Sequence, residues 1–453
     1  MMSRLRIAVV GLAAASLGFF GSFGMVLAAN EPIDLSEPLR IGPGSIGVDV
    51  AADGKTAYAV SETSSRLVRI DATAGLITHN IPVEIGAEKA PGGPRSVIID
   101  DARNRVIVAG QSRPAVLIYD PVSLVLVDEI VFPQFLGFSS AALGDDGELY
   151  LGMSPVSAGS KRQQGRIIKV DLASGAVLAQ SPDVGTSVYS MTVDTTHSRV
   201  FFIGNAAKLQ MWDMNTDGVR SLPASNGGLD TSSVLSSDSE KLYVSGTDGV
   251  RVLEASTLRE VDTWATVPNA SAVGLVEDEG VAYVVSRKLL HIVDLGSGTL
   301  IVATARPSLT LGYGRYFATN GILPTVAFVD GTSWVRTGTL QGLPPSAPRK
   351  VKARVKGSTA VVTWRPPTFS GAAVPIRYEV TTNAKGVSCT TSKRKCTLRN
   401  LKPGKTYKIR VQATSGDYAS LPSKQVTVRI KKPSNSAPAV APAPAGKPSQ
   451  QPS

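Results

Sequence analysis

Between Ser45 and about Gly338 the sequence repeats one four-part line, and any fold it adopts must honour that repetition. New copies begin at Pro94, Ser139, Ser187, Thr231, Ala270 and, in more degenerate form, Leu309. Each copy has an apolar run, a turn, a run with an aromatic near its start, a polar gap, a run ending in an acid, a turn and a last run. The aromatic beat falls at Tyr58, Tyr150, Phe201, Tyr243, Tyr283 and Tyr316, with Val106 standing in for it in the second copy. The turn acid falls at Asp71, Asp120, Asp171, Asp213, Glu254, Asp294 and Asp330. A period of about 36 to 51 residues with four short strands per copy is the signature of a β-propeller. Seven copies predict seven blades. No stretch carries the 3.6-residue apolar period of a long amphipathic helix.

Within a copy the first run is small and apolar, as strands crowded around a central axis require. The second carries the aromatic expected to pack between adjacent blades. The third ends at the acid, and Asp71, Asp171 and Asp294 each have a glycine four residues on, where a turn needs left-handed backbone. Ahead of the first copy, residues 33–41 read as one strand. Such a strand often seals a propeller by pairing with the last blade, which removes an open sheet edge. The last copy also offers a fourth strand of its own, residues 333–338, and the sequence leaves open which of the two seals the ring.

Residues 1–28 read as an export signal: Arg4 and Arg6 precede an apolar run from Ile7 to Leu27, and Val26-Leu27-Ala28 offers small residues for cleavage. The apolar run is longer than the usual signal core, so an uncleaved anchor is the alternative, and only then would the chain contact a membrane. The net charge of +11 hides a division. Residues 1–343 hold 26 Lys+Arg against 34 Asp+Glu, a balance of −8, while residues 344–453 hold 21 against two, a balance of +19. An asymmetry of that size speaks about partners rather than fold. Residues 433–453 are rich in Pro, Ala and Ser without an aromatic, which predicts a disordered tail.

The repeat lines resemble the YVTN type of bacterial propeller repeat, with residues 57–60 (AYAV), 242–246 (LYVSG) and 170–175 (VDLASG) the best matches. From Pro344 to Ile430 the chain resembles a fibronectin type III domain. The resemblance is carried by Trp364 in AVVTW, Tyr378 in IRYEV, and the Leu401…Tyr407 tyrosine corner in LKPGKTY. It implies a seven-strand sandwich with Trp364 in the core. The expected organisation is therefore a signal (1–28), a seven-bladed propeller (29–341), a fibronectin type III domain (342–432) and a tail (433–453), an all-β chain throughout. The same resemblance implies that Cys389 and Cys396 form a cross-strand disulfide around a short polar turn. Closing that loop is worth about 2.5 kcal/mol by chain entropy. A metal or redox role for the pair lacks further ligands and the C-x-x-C spacing.

Signals for chemistry are sparse. The three histidines, His79, His197 and His291, fall at unequal places in their copies, so no shared central site is expected. Each turn acid stands alone, whereas a calcium loop concentrates several oxygen ligands within about a dozen residues. These acids read as turn caps, and the run 277–279 (EDE) as a solvated hairpin turn. No catalytic residue, cofactor or metal is expected. The basic cluster Lys385, Lys393, Arg394, Lys395, Arg399, Lys402 and Lys405 reads either as a solvated surface or as candidate polyanion contacts, for anionic cell-wall polymer above all. An equally simple reading is that the basic domain docks on its own acidic propeller. Residues 84–93 and 154–165 are longer loops that suit ligand binding. The expected function is an exported, non-catalytic binding or scaffold protein, secreted or held at a bacterial envelope. Its propeller face would recognise a protein or polysaccharide, and nucleic acid is not expected as a partner. The alternative, drawn from resemblance to propeller lactonases and lyases and to fibronectin-bearing polysaccharide hydrolases, is an enzyme or enzyme-associated protein.

Overall fold

The computed structural model describes residues 33–83, 93–110, 114–158, 161–205, 207–222, 229–277, 280–286, 289–305, 317–319, 325–329, 334–340, 344–367, 376–416 and 418–431. The export signal, Tyr316, Asp330, most of the 84–93 loop, residues 278–279 and the tail lie outside these residues. The chain is all-β; one 3-10 turn, Asp101–Arg103, interrupts the strands.

Two short strands, β1 (Ile33–Leu35) and β2 (Leu39–Arg40), precede a series of antiparallel meanders. Sheet 1 is β3 (Ser45–Val50), β4 (Thr56–Ser61), β5 (Arg66–Asp71) and β6 (Leu76–Pro82). Sheet 2 is β7 (Pro94–Asp100), β8 (Arg105–Gly110), β9 (Ala115–Tyr119) and β10 (Leu126–Val131). Sheet 3 is β11 (Ser140–Leu143), β12 (Leu149–Gly152), β15 (Ile167–Val170) and β16 (Val177–Gln180), with a separate hairpin, β13 (Val156–Ala158) and β14 (Lys161–Gln163), inserted after β12. Sheet 4 is β17 (Ser190–Asp194), β18 (Arg199–Ile203), β19 (Leu209–Asp213) and β20 (Gly218–Ser221). Sheet 5 is β21 (Asp230–Leu235), β22 (Lys241–Gly246), β23 (Gly249–Glu254) and β24 (Glu260–Trp264). Sheet 6 is β25 (Ala270–Val276), β26 (Val281–Ser286), β27 (Leu289–Asp294) and β28 (Leu300–Ala305).

Sheet 7 joins both ends of this region. It runs β29 (Phe317–Thr319), β30 (Thr325–Val329), β31 (Trp334–Leu340), and its outer edge is β1, with β2 also on β31. Ile33 pairs with Leu340 and Leu35 with Gly338, while Leu39 faces Val335. The Ser36 hydroxyl accepts the Thr337 N–H at 3.1 Å. This corrects one expectation. Residues 334–338 are not a fourth strand; they belong to the third strand, and the N-terminal strands take the outermost place.

Successive first strands are neighbours: β3 borders β7, then β11, β17, β21, β25 and β29 follow in turn, and β29 borders β3 again. Cores form between sheets rather than within them. Tyr58 packs with Val108 and Leu117 of sheet 2, and Tyr150 with Phe202 and Trp212 of sheet 4. Phe201 packs with Leu242 and Val244 of sheet 5, and Tyr243 with Val284 and Val293 of sheet 6. Residues one position away on the same strands serve the opposite interface. Leu149 and Leu151 meet Ile107 and Ile118 of sheet 2, and Ala57 and Ala59 share a cluster with Ala327 and Val335 of sheet 7. Because side chains alternate along a strand, burial on both faces explains why β4, β18 and β26 are buried at every position. The same alternation corrects the second copy. Ile107, third along β8 as Tyr58 is along β4, faces the next sheet; Val106 faces the previous one, in the cluster of Tyr58.

The acids at the ends of third strands cap turns. Asp71 Oδ1 accepts the N–H groups of Thr73 and Ala74 at 2.9 and 2.8 Å, and Asp120 Oδ1 those of Val122 and Ser123. Four residues on, the chain enters left-handed backbone at Gly75, Leu124, Gly175, Asp217, Leu258 and Gly298. At Gly75, Leu124, Gly175, Leu258 and Gly298 the N–H of that residue also donates to the acid's carbonyl, at 2.7–3.0 Å. Between sheets 1 and 2 a half-buried carboxylate joins the two first strands: Asp49 accepts the N–H groups of Val50 and Ile99, each at 2.9 Å.

C-terminal to these sheets, residues 344–431 form a sandwich with its own core. One sheet has three strands, β32 (Arg349–Lys356), β33 (Thr359–Arg365) and β36 (Lys395–Leu398). The other has β34 (Arg377–Thr382), β35 (Cys389–Thr391) and β37 (Thr406–Ser415), with β38 (Tyr418–Ala419) and β39 (Val426–Arg429) both along β37. Among the described residues the count is eight strands rather than seven, the extra one being the two-residue β38. Trp364 and Tyr378, one from each sheet, meet edge-on at 5.2 Å between ring centroids. Leu401 is buried, and the Tyr407 hydroxyl accepts the Lys402 N–H at 2.8 Å, closing the tyrosine corner. Cys389 and Cys396 are joined, but their strands pair with β34 and β33 and not with each other. The disulfide therefore ties the two sheets together instead of bracing a hairpin.

Two tests follow from these contacts. At Gly298, φ is +61° and an added Cβ would stand 2.0 Å from the Trp264 ring. Gly298→Ala should lower unfolding free energy by about 2 kcal/mol or more in urea titrations, combining left-handed strain with displacement of a buried ring. Burial pushes the Asp49 carboxyl up to about 6. A folded-state pKa above the unfolded value near 3.9 means that the stabilising state is the protonated one, present in full at low pH and lost as pH rises through about 6. The stability of the parent relative to Asp49→Asn should therefore shrink by about 2 kcal/mol between pH 4 and pH 7.5; a constant difference would show that Asp49 does not titrate in this window.

Candidate functional site

The seven cations singled out from sequence are all exposed, but they do not form one cluster. Lys393 and Arg394 occupy the turn between β35 and β36, where the Arg394 carbonyl accepts the Trp364 N–H at 3.3 Å. Arg399, Lys402 and Lys405 lie in the connection from β36 to β37, at the opposite end of the sandwich. That end is fixed by Leu401 N–H donating to Ser358 O at 2.9 Å, beside the β32–β33 turn. Lys385 follows β34, whose last residue pairs with Ile409 near the start of β37, so it belongs to the same end. Lys395 stands between the two groups on β36.

Sequence reasoning missed the cations that join these groups. Lys352, Arg354 and Lys356 on β32 and Arg365 on β33 are exposed, while Ala360, Val362, Trp364 and Cys396 point into the core. They share the outer face of the three-stranded sheet with Lys395. The signal was available in the period-two pattern Lys352-Ala-Arg354-Val-Lys356, which places every second side chain on one face of a strand. No acidic residue lies on this sheet. Glu379, the acid of the sandwich among the described residues, sits on β34 in the other sheet, between Thr390 and Gln412. No ion pair engages Lys352, Arg354, Lys356, Arg365 or Lys395 among the described residues. Burial raises the pKa of the Tyr378 hydroxyl in the core beneath, against the pull of the Arg394 cation.

The sheets of the N-terminal region hold the remaining candidates apart. His79 is half-buried on β6 beside Thr78; His197 lies in the β17–β18 turn with Nδ1 3.0 Å from the Asp194 carboxylate; His291 is buried on β27 with Nε2 2.9 Å from the Ser286 hydroxyl. Asp194 is itself buried and paired with Arg199 at 2.6 Å. Among the described residues no group of three or more His, Cys, Asp or Glu side chains is placed to hold a metal ion. The 154–165 loop forms the β13–β14 hairpin, held over the Phe132–Phe138 segment by Gln163. Its amide oxygen accepts the Leu136 N–H at 2.6 Å, and its nitrogen donates to the carbonyls of Gly137 and Ser154. An open cleft of about 870 Å³ runs between hairpin and sheet 3, with Phe135, Arg162, Arg166 and Asp183 in its walls.

The exposed cations of the sandwich give this face its positive charge, and among the described residues no group of His, Cys, Asp or Glu side chains is placed to hold a metal beside them. No curated protein matches the chain. A family model does match the C-terminal part, and residues 346–429 are a fibronectin type III domain.

Proposed function

We propose that this is an exported, non-catalytic binding protein, in which a seven-bladed propeller of YVTN-like repeats presents a ligand-binding face and the basic fibronectin type III domain holds it to anionic polymer of the cell envelope. The propeller reading is supported by seven meanders whose first strands are neighbours in cyclic order, and by cores shared between successive sheets. The seventh meander draws its outer strands from the start of the chain, as ring closure needs. Export is supported by the basic, apolar and small-residue sequence of residues 1–28.

The observation that carries the envelope reading is the separation of charge. From residue 344 onward 21 cations stand against two acids, next in the chain to a region of opposite sign. A surface that needs only solubility does not require so complete an exclusion of acids, because mixed charge serves as well. Such a field concentrates polyanions at low ionic strength and loses them once salt shortens the screening length to a few ångströms.

The full chain should co-sediment with purified bacterial cell walls at about 50 mM salt and be released at about 1 M. Walls stripped of their anionic polymers should retain little of it. Pelleting that resists salt would place recognition on the propeller face. Absence of pelleting at low salt would remove the envelope reading and leave the basic domain free to serve the acidic region of its own chain.

A further inference from the structure

The outer face of the three-stranded sheet is shaped as well as charged. Cross-strand partners define its rows: Lys352 faces Thr363, which faces Lys395; Arg354 faces Val361, which faces Thr397; Lys356 faces Thr359. The central strand thus contributes a floor of short β-branched side chains, Thr359, Val361 and Thr363. Long cationic side chains rise on either side of it. Alternate residues on one strand stand about 6.8 Å apart, and strands two apart are separated by about 9.6 Å. The result is a shallow trough with a positive charge at each step along one wall.

An irregularity in β32 extends that wall. The ladder shifts between Arg349 and Lys352, so that Arg349 pairs with Arg365 and Lys352 with Thr363. Lys350 takes a left-handed conformation, with φ 50°, at this bulge. Arg349 and Lys352 are three positions apart, an odd step that would put the two side chains on opposite faces of a regular strand. The extra residue restores the phase, and a bulge of this kind re-aims side chains at functional edges. Arg349 is then held at the trough's end by its Nε donating to Pro366 O at 3.1 Å.

We infer that this trough binds a linear phosphodiester polymer with short polyol spacers, lying along the strands with its phosphates against Arg349, Lys352, Arg354 and Lys356 and against Lys395 opposite. The inference rests on the polyanion reading of the domain and makes it specific in residues, direction and ligand. A single file of charges at strand spacing suits a thin, extended chain; a duplex is too wide for the trough. Single-stranded nucleic acid has a similar file of charges, but its bases need aromatic platforms. The outward residues of the central strand are threonine, valine and, at its end, Arg365, and none is aromatic. The trough offers no platform.

The test uses the full chain, a poly(glycerol phosphate) of defined length, and affinity measured against salt. The trough variant carries Lys352→Thr, Arg354→Thr, Lys356→Thr and Lys395→Thr. A control of equal charge carries Lys385→Thr, Arg399→Thr, Lys402→Thr and Lys405→Thr, all in loops at one end. Thermal melting of both variants checks that the sandwich is intact, and threonine suits exposed strand positions. The trough variant should lose about 100-fold in affinity or more, and its log-log salt slope should fall by about three, near 0.7 for each lost contact to a single-stranded polyanion. The control should change the slope by less than one. Equal losses in the two variants, or a greater loss in the control, would overturn the trough while leaving the polyanion reading in place. Absence of binding by the parent would end both. Tighter binding to a single-stranded oligonucleotide than to poly(glycerol phosphate) would overturn the assignment of the ligand.

Discussion

No sheet of the N-terminal region owns its core. Each four-stranded meander is too thin to bury apolar surface by itself, and its second strand is apolar on both faces. That strand is stable only when sheets stand on either side of it, and every interface depends on the next. Tyr58, Tyr150, Phe201 and Tyr243 each reach forward into the following sheet, while their strand neighbours reach back. Burying side chains of this size contributes about 1.5–3 kcal/mol each. The contribution is collected only once two sheets have met. The sandwich, by contrast, closes on a single internal cluster around Trp364, Tyr378 and Tyr407.

Much of this was legible in the sequence because repetition makes weak local signals strong. The turn acids, the left-handed glycines and the second-strand aromatics recur at the same place in copy after copy. What failed was phase. In the second copy Val106 and Ile107 are both apolar and neither is aromatic, so nothing in the residues themselves distinguishes the face turned forward from the one turned back. In the seventh copy the beat at Tyr316 and the acid at Asp330 lie outside the described residues. Phe317–Thr319 is the first strand there, and the third is followed by a partner from the beginning of the chain. Pairing across such a distance leaves no local mark.

The candidate site was legible in its sign and not in its outline. Counting charges found the basic domain, and the dense run Lys393-Arg394-Lys395 drew attention to a turn. A turn disperses its side chains, whereas a strand aligns them, so the more ordered array lay in the less conspicuous Lys352-Ala-Arg354-Val-Lys356. The cysteines gave a similar lesson. Seven residues apart with a polar turn between, they read as a hairpin brace, yet that turn carries the chain from one sheet to the other. A bond between layers resists their separation, so it guards the common core more than either strand.

The pairing of β1 with β31 has a consequence in time. Ile33 finds its partner at Leu340, so the contact cannot form until nearly the whole N-terminal region has been synthesised. Closing a loop of that length adds only modestly to the entropic cost, because the cost grows with the logarithm of length. The delay falls instead on the folding rate, which slows as contacts become less local. Until then β1 lacks its partner and the edge of sheet 7 stays open. In a chain made from its N-terminus, the segment needed last is the one that emerges first and must wait for its partner.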